Sequence, residues 1–317
     1  MPRRYKPVCV TVPLERPNRT VTQTPSTVSA VTQTARIGIS LMLGDDGISP
    51  AELARAVEER GFESLWLPEH SHIPVSRETP WPGSLTGESL PDVYSHLLDM
   101  TVSLAMAAAV TTRIRLGTSV ALLAARDPLW TAKEYATLDV LSGGRVEFGV
   151  GFGWNREELR NHGVAFEQRW DHTREAVAAI RSLWSDDTAS FDGEHVAFAP
   201  SWAWPKPIRP RGPRIHIGGG AGPRLLGHVA EWGDGWMPIS ARSSIADRLR
   251  RLDGACERAS RDRTEIDVSV FGATTDPGGL ANLFDEGVHR AVLTLPSHHR
   301  DEALRQLDEW APLTDHL

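Results

Sequence analysis

The sequence predicts a (β/α)8 TIM barrel, and three observations carry that expectation. From Arg36 onward a short apolar, β-rich run, a turn and a helical run recur eight times. The apolar runs are continuous rather than alternating, the pattern of parallel strands buried on both faces. No shift in composition separates the eight units. This favours a closed barrel over the open doubly wound sheet, the other way of joining parallel strands by helices.

The first strand is RIGISL (36–41) and its helix PAELARAVEERG (50–61), with Ser49 as cap, Pro50 at the first position and Gly61 past the end. The second strand, FESLWL (62–67), has a late helix at 96–112. The third strand, 113–122, leads to a helix at 128–143. The fourth, RVEFGVGFG (145–153), is followed by helical runs at 155–161 and 171–185. Strands at 214–219, 235–240, 266–272 and 290–296 complete the set. Their helices are expected at 223–233, 243–260, 277–287 and 299–311. Two insertions interrupt the repeat. One, 68–95, follows strand two, is rich in Pro and Gly, and has the length of a functional lid. The other, 186–212, lies between helix four and strand five. It holds a possible hairpin at Asp192-Gly193 and the segment SWAWPKPIRPRGP, whose Trp202 and Trp204 are expected to serve packing.

Residues 1–35 stand apart as a Ser/Thr/Gln/Pro-rich leader expected to be disordered, and residues 36–317 are expected to form a single barrel domain. The basic MPRRYK start has no apolar run behind it, so secretion is not expected and a cytoplasmic location is. With 40% hydrophobic and 24% charged residues the chain is globular. The net charge of −7 and the absence of a long apolar run argue against nucleic-acid and membrane partners. Cys9 and Cys256 form no metal or redox spacing.

In such barrels the chemistry sits where strands end. Glu69, His70 and His72 follow strand two, and Thr118 and Ser119 end strand three. Gly151, Gly153 and Trp154 follow strand four. GGGAGPRLL after strand five puts Gly218, Gly219, Gly220, Ala221 and Gly222 ahead of a helix. One glycine would serve a tight turn; four give backbone N–H groups room to approach a phosphate at the helix N-terminus. GVGFG is not the dinucleotide fingerprint in spacing or position. His70 is the candidate catalytic residue, because it follows a strand end and imidazole suits proton transfer near neutral pH. The His70-x-His72 spacing also fits a metal pair. The further ligands of barrel hydrolases would have to come from strand ends that here carry glycines, Met237-Pro238 and Leu295-Pro296, so no metal is expected.

The stretches LWLPEHSHIP (65–74), 113–159 and PRIHIGGGAGPRLLGHVAEWGDGWMP (213–238) resemble, in order and spacing, the luciferase-like monooxygenase superfamily over residues 36–312. The PEHSHIP and RETPWPG forms are similar to its coenzyme F420-dependent oxidoreductase branch. The resemblance implies F420, with FMN as the alternative. It implies cofactor contacts at Glu69, His70, Thr118, Ser119, Val120, Gly151, Phe152 and Gly153, and a phosphate on Gly218, Gly219, Ala221 and Gly222. It also implies a non-prolyl cis peptide near Ser119-Val120 and a homodimer. His70 becomes the proton partner of a hydride transfer to a small organic substrate. Sugar-phosphate dehydrogenases of the family carry a Glu after the strand-four glycines. Trp154 stands there instead, which points to an apolar or planar substrate in a pocket of Trp66, His72, Trp81 and Trp154, with Trp236 also near the mouth. The rival readings are an FMN-dependent monooxygenase fed by a separate reductase and a non-catalytic flavin- or F420-binding protein.

Overall fold

The structure, a computed structural model, describes residues 36–83, 87–240 and 244–315. The expected leader, 1–35, lies outside them. Strands β1 (Ile37–Ser40), β2 (Ser64–Leu67) and β3 (Arg115–Thr118) come first. After a short break β4 (Ala121–Leu122) continues the third strand, and β5 (Val146–Gly151) is the fourth. The insertion 186–212 forms an antiparallel hairpin of β6 (Ala189–Asp192) and β7 (Ala197–Ser201) that pairs Phe191 with Phe198, as the Asp192-Gly193 turn predicts. Strands β8 (Arg214–Gly218), β9 (Gly235–Met237), β10 (Asp267–Phe271) and β11 (Arg290–Thr294) follow. All barrel pairings are parallel. The order runs from β3 through β2, β1, β11, β10, β9 and β8 to β5, and the β3–β5 pairing closes the ring. The expected (β/α)8 barrel is the fold.

The helices are α1 (Pro50–Glu59), α2 (Met100–Val110), α3 (Pro128–Ser142), α4 (Arg156–Asn161), α5 (Arg169–Ser185), α6 (Pro223–Trp232), α7 (Ile245–Arg258), α8 (Pro277–Asp285) and α9 (Arg300–Trp310). Ser49 caps α1 by accepting the Glu52 amide, and Pro50 takes the first position. Asp99 and Asp127 cap α2 and α3 in the same way, and Gly143 ends α3 in the left-handed region at φ 73°. Among the described residues no helix is long and apolar enough to cross a membrane.

The lower half of the barrel is filled by charge as well as by aliphatic side chains. Buried Glu147 on β5 meets His216 Nε2 on β8 at 2.7 Å and Arg115 on β3 at 3.0 Å. Arg290 on β11, 1% exposed, bonds both oxygens of Glu63 at 2.8 Å. Its guanidinium lies 5.2 Å over the Trp66 ring. Trp66 itself is fully buried, donates to Ser64 Oγ, and packs with Met237 and Val292. A Cβ on Gly117 would stand 2.1 Å from its indole, so the ring needs glycine opposite. Trp66 is therefore below the mouth and not a pocket residue, a correction to the sequence reading. It faces the barrel axis at a strand position one layer too deep. Trp236, also fully buried, donates to the Gly219 carbonyl and is likewise not at the mouth.

Burial raises the Glu147 carboxyl, but His216, Arg290 and Arg115 outweigh it and hold the group well below the usual carboxylate range. A depressed folded value stabilises the fold above the ordinary glutamate pKa, and that contribution is lost as pH falls through the depressed value. Glu147→Gln should cost about 3 kcal/mol at pH 7, because His216 and Arg115 are left without their carboxylate. The gap between the urea midpoints of wild type and variant should narrow as pH drops below about 4.

Candidate functional site

The C-terminal ends of the strands open into a cavity of about 1580 Å³. A second of about 550 Å³ shares Val120, Trp154 and Ile239 with it. Glu69, His70, Trp81 and Trp154 line the larger one, together with Ala221 and Gly222. Gly151, Phe152, Gly153, Gly218 and Gly219 line the smaller. Ser119 and Val120 line both, and the peptide between them is cis, as expected.

His70 stands at the start of the insertion that follows β2. Its Nδ1 is 2.7 Å from Glu158 Oε2, and both side chains are nearly inaccessible. The second Glu158 oxygen accepts the Ser71 amide at 3.1 Å. A carboxylate accepts the hydrogen bond of Nδ1–H, so Nε2, which has no hydrogen bond among the described residues, is the atom left for a ligand. The ring is 5.6 Å from Trp154 and 5.4 Å from Tyr94. Trp81 Nε1 donates to the Tyr94 hydroxyl at 3.0 Å. Burial pushes the Tyr94 phenol up, so it keeps its proton and can donate it as a hydrogen bond.

Glu69 lines the cavity with both oxygens engaged. One pairs with Arg126, and the other accepts the Leu122 amide at 2.7 Å. Burial pushes its carboxyl up against the pull of Arg126. Its work is to hold the segment that carries Ser119 and Val120.

Two expected contacts fall elsewhere. Thr118 is fully buried and donates to the Gly149 carbonyl at 2.6 Å, so it ties β3 to β5 and does not reach the cavity. His72 does not line it either, because Ser71 and Asn161 on α4 hold its ring. Its nitrogens meet Ser71 Oγ and Asn161 Nδ2 at 2.9 Å each. Trp202 and Trp204 are also corrected: they are 83% and 56% exposed rather than packed. The histidines at 298 and 299 do approach a carboxylate, Asp46, with ligand atoms within 4.8 Å of one another, but none of the three lines either cavity.

The glycine loop fits a phosphate. A Cβ at Gly220 or Gly222 would meet nothing within 4 Å, so internal packing does not require glycine at either position. Gly222 precedes α6 and offers no side-chain cap, which leaves the first N–H groups of the helix open to an anion. Gly218 and Gly151 differ, since a Cβ on either would strike Val120.

Sequence reasoning missed Glu158, Glu157 and Tyr94. Asn155 and Glu158 have the spacing of a capping pair, and Asn155 Oδ1 does accept the Glu158 amide at 3.4 Å. The glutamate then reaches across to His70 instead of back to its own helix. Glu157, next to it, accepts the Thr79 hydroxyl at 2.7 Å and the Glu78 and Thr79 amides, so α4 holds the insertion at two places.

A family profile described as luciferase-like monooxygenase matches residues 28–275. A protein of unassigned activity from Mycobacterium tuberculosis (strain ATCC 25618 / H37Rv) is 41% identical over 276 residues, 86% of this chain and 96% of that one. The F420-dependent glucose-6-phosphate dehydrogenase of Kineococcus radiotolerans is 31% identical over 227 residues, 69% of this chain and 61% of the relative. Among solved structures, the monooxygenase RslO1 from Streptomyces bottropensis superposes with a TM-score of 0.70 at 20% identity, covering 89% of this chain and 98% of that one.

Burial raises the Glu157 carboxyl, but the Thr79 hydroxyl and the backbone amides together outweigh it and hold it down at about 2. The clamp is therefore complete above the ordinary glutamate range and is lost only as pH falls towards 2. Glu157→Gln at pH 7 should speed amide exchange at Glu78 and Thr79 about tenfold, with barrel amides unchanged, as read by hydrogen-exchange NMR.

Proposed function

The chain belongs to the luciferase-like monooxygenase family, and from that premise we propose that it is a coenzyme F420-dependent oxidoreductase acting on a small apolar or planar organic substrate. The observation that carries the reading is the His70–Glu158 pair in the wall of an aromatic-lined cavity. When bound, the deazaflavin supplies or accepts a hydride, chemistry that belongs to the cofactor. Ser119, Val120, Gly151, Phe152 and Gly153 would hold its ring. Gly218, Gly219, Ala221 and Gly222 would hold its phosphate. His70 gives or takes the accompanying proton at Nε2, and Glu158 fixes the ring and balances the imidazolium. Trp81, Tyr94 and Trp154 exclude water and favour a flat or apolar substrate. Lys133 and Lys206 bind main-chain carbonyls at Trp204 and at Leu183 and Asp186, so neither serves a sugar phosphate at the mouth.

F420 is favoured by the 31% identical dehydrogenase. An FMN-dependent monooxygenase, fed by a separate reductase, is the second reading, favoured by the likeness to a monooxygenase structure. Fluorescence titration separates them. F420 should bind at least about tenfold more tightly than FMN, and oxygen uptake with reduced FMN would instead establish the second reading. His70→Ala should cut turnover about 10²–10⁴-fold. Full activity in that variant would sink the assignment. Glu158→Gln should lower kcat more than it changes KM, with part of the loss recovered in Glu158→Asp.

The assembly that goes with this reading is a homodimer. Its support is α2, which carries no charged side chain and exposes Val102 and Met106. Neighbouring α3 exposes Trp130 and Leu141. A helix apolar on every side is one that a partner covers. Sedimentation should give a dimer that Trp130→Glu with Leu141→Glu converts to monomer.

A further inference from the structure

The cations beside the mouth are mostly matched. Arg126 pairs with Glu69 and Glu134, and Arg77 lies on the Trp154 ring. Arg248 is not. It is the fourth residue of α7, 8% exposed, and lines the larger cavity. Its Nη1 donates to the Ile239 carbonyl at 2.8 Å, and its buried Nε has no partner. It forms no ion pair among the described residues. Asp247, the carboxylate beside it, pairs with Arg250 instead. Burial acts on the guanidinium with no carboxylate opposing it.

A buried charge without a counter-charge is among the most costly features a fold can hold. Here the cost is raised further, because the N-terminal turn of a helix carries positive partial charge and disfavours a cation. Arg251 lines the same cavity, as do Gly220 and Gly222 ahead of the uncapped start of α6. Two guanidinium groups, the first turn of α7 and the start of α6 thus line one cavity, and the carboxylate beside Arg248 is engaged by Arg250.

We propose that Arg248, seconded by Arg251, forms an anion subsite that receives a phosphate or carboxylate group of the bound ligand. Arg248 supplies the buried, directional charge and Arg251 an outer one. The anion completes the charge balance of α7 when it binds. The subsite lies in the proposed cofactor cavity and so rests in part on that reading, while its charge imbalance stands apart from it.

The test compares wild type with Arg248→Met and Arg248→Lys. In phosphate-free buffer Arg248→Met should melt at a higher temperature than wild type, because the unmatched charge is gone. Inorganic phosphate should raise the melting temperature of wild type, raise that of Arg248→Lys less, and leave Arg248→Met unmoved. Fluorescence titration should show F420 weakened about 10–100-fold by Arg248→Met. The deazariboflavin chromophore lacking the phosphate and its tail should bind both proteins within about twofold. If phosphate protection is lost but F420 affinity is unchanged, the subsite stands and its anion belongs to the substrate. If wild type binds no F420 while phosphate protection still depends on Arg248, the cofactor reading falls and the subsite survives. The proposal is overturned if Arg248→Met melts below wild type and keeps the full phosphate effect. It is also overturned if neither phosphate protection nor F420 affinity depends on Arg248.

Discussion

The carboxylate of Glu158 decides where the His70 imidazole stands. It sits on a short helix after β5, yet it grips a loop that begins after β2, bonding His70 Nδ1 with one oxygen and the Ser71 amide with the other. Once Nδ1 is committed, Nε2 is the nitrogen left for a ligand, and the bond to Ser71 ties the loop to the same carboxylate. The adjacent Glu157 repeats the device on residues 78–79. A helix of six residues therefore positions His70 and the insertion that carries Trp81. Because both contacts are charge-assisted, each is stronger than a neutral hydrogen bond would be.

The barrel beneath is rigid for a related reason. Glu147, His216, Arg115, Arg290 and Glu63 form paired charges around the axis, and Trp66 closes the layer above them against Met237 and Val292. Those groups are costly to bury singly and are tolerated because each finds a partner. Arg248 is the contrast. It has no ion pair among the described residues, and in the subsite proposed above its partner is an anionic group of the ligand. Within one barrel, matched buried charge supports the scaffold and unmatched buried charge points to the ligand.

The surface divides in the same way. Most outer helices carry polar side chains towards water, but α2 does not, and the exposed Trp130, Trp202 and Trp204 lie on or near its neighbour α3. Indole rings more often pack than stand in solvent, yet both Trp202 and Trp204 stay exposed within the described chain.

Local pattern was enough for the architecture. Eight continuous apolar runs, each followed by a capped helix, leave few ways to bury the strands. Boundaries such as Pro50, Gly143 and Asp127 are set by backbone chemistry that acts within a few residues. The glycine run at 218–222 and the strand-end position of His70 were legible for the same reason, since strand ends define the mouth. What sequence could not supply was depth and reach. Trp66 and Thr118 were expected in the pocket and lie below it, because one or two residues along a strand change the layer a side chain fills. Glu158 carried no mark of its role in the sequence, because its partner is 88 positions away and only barrel closure brings the loops after β2 and β5 together. Arg248 is one of several arginines on a polar helix, and only the neighbours from other elements show that no carboxylate among the described residues pairs with it. Strand, helix and turn are decided by short-range sterics and hydrogen bonding. The pairing of charges across the mouth is decided by which distant segments the closed barrel makes neighbours.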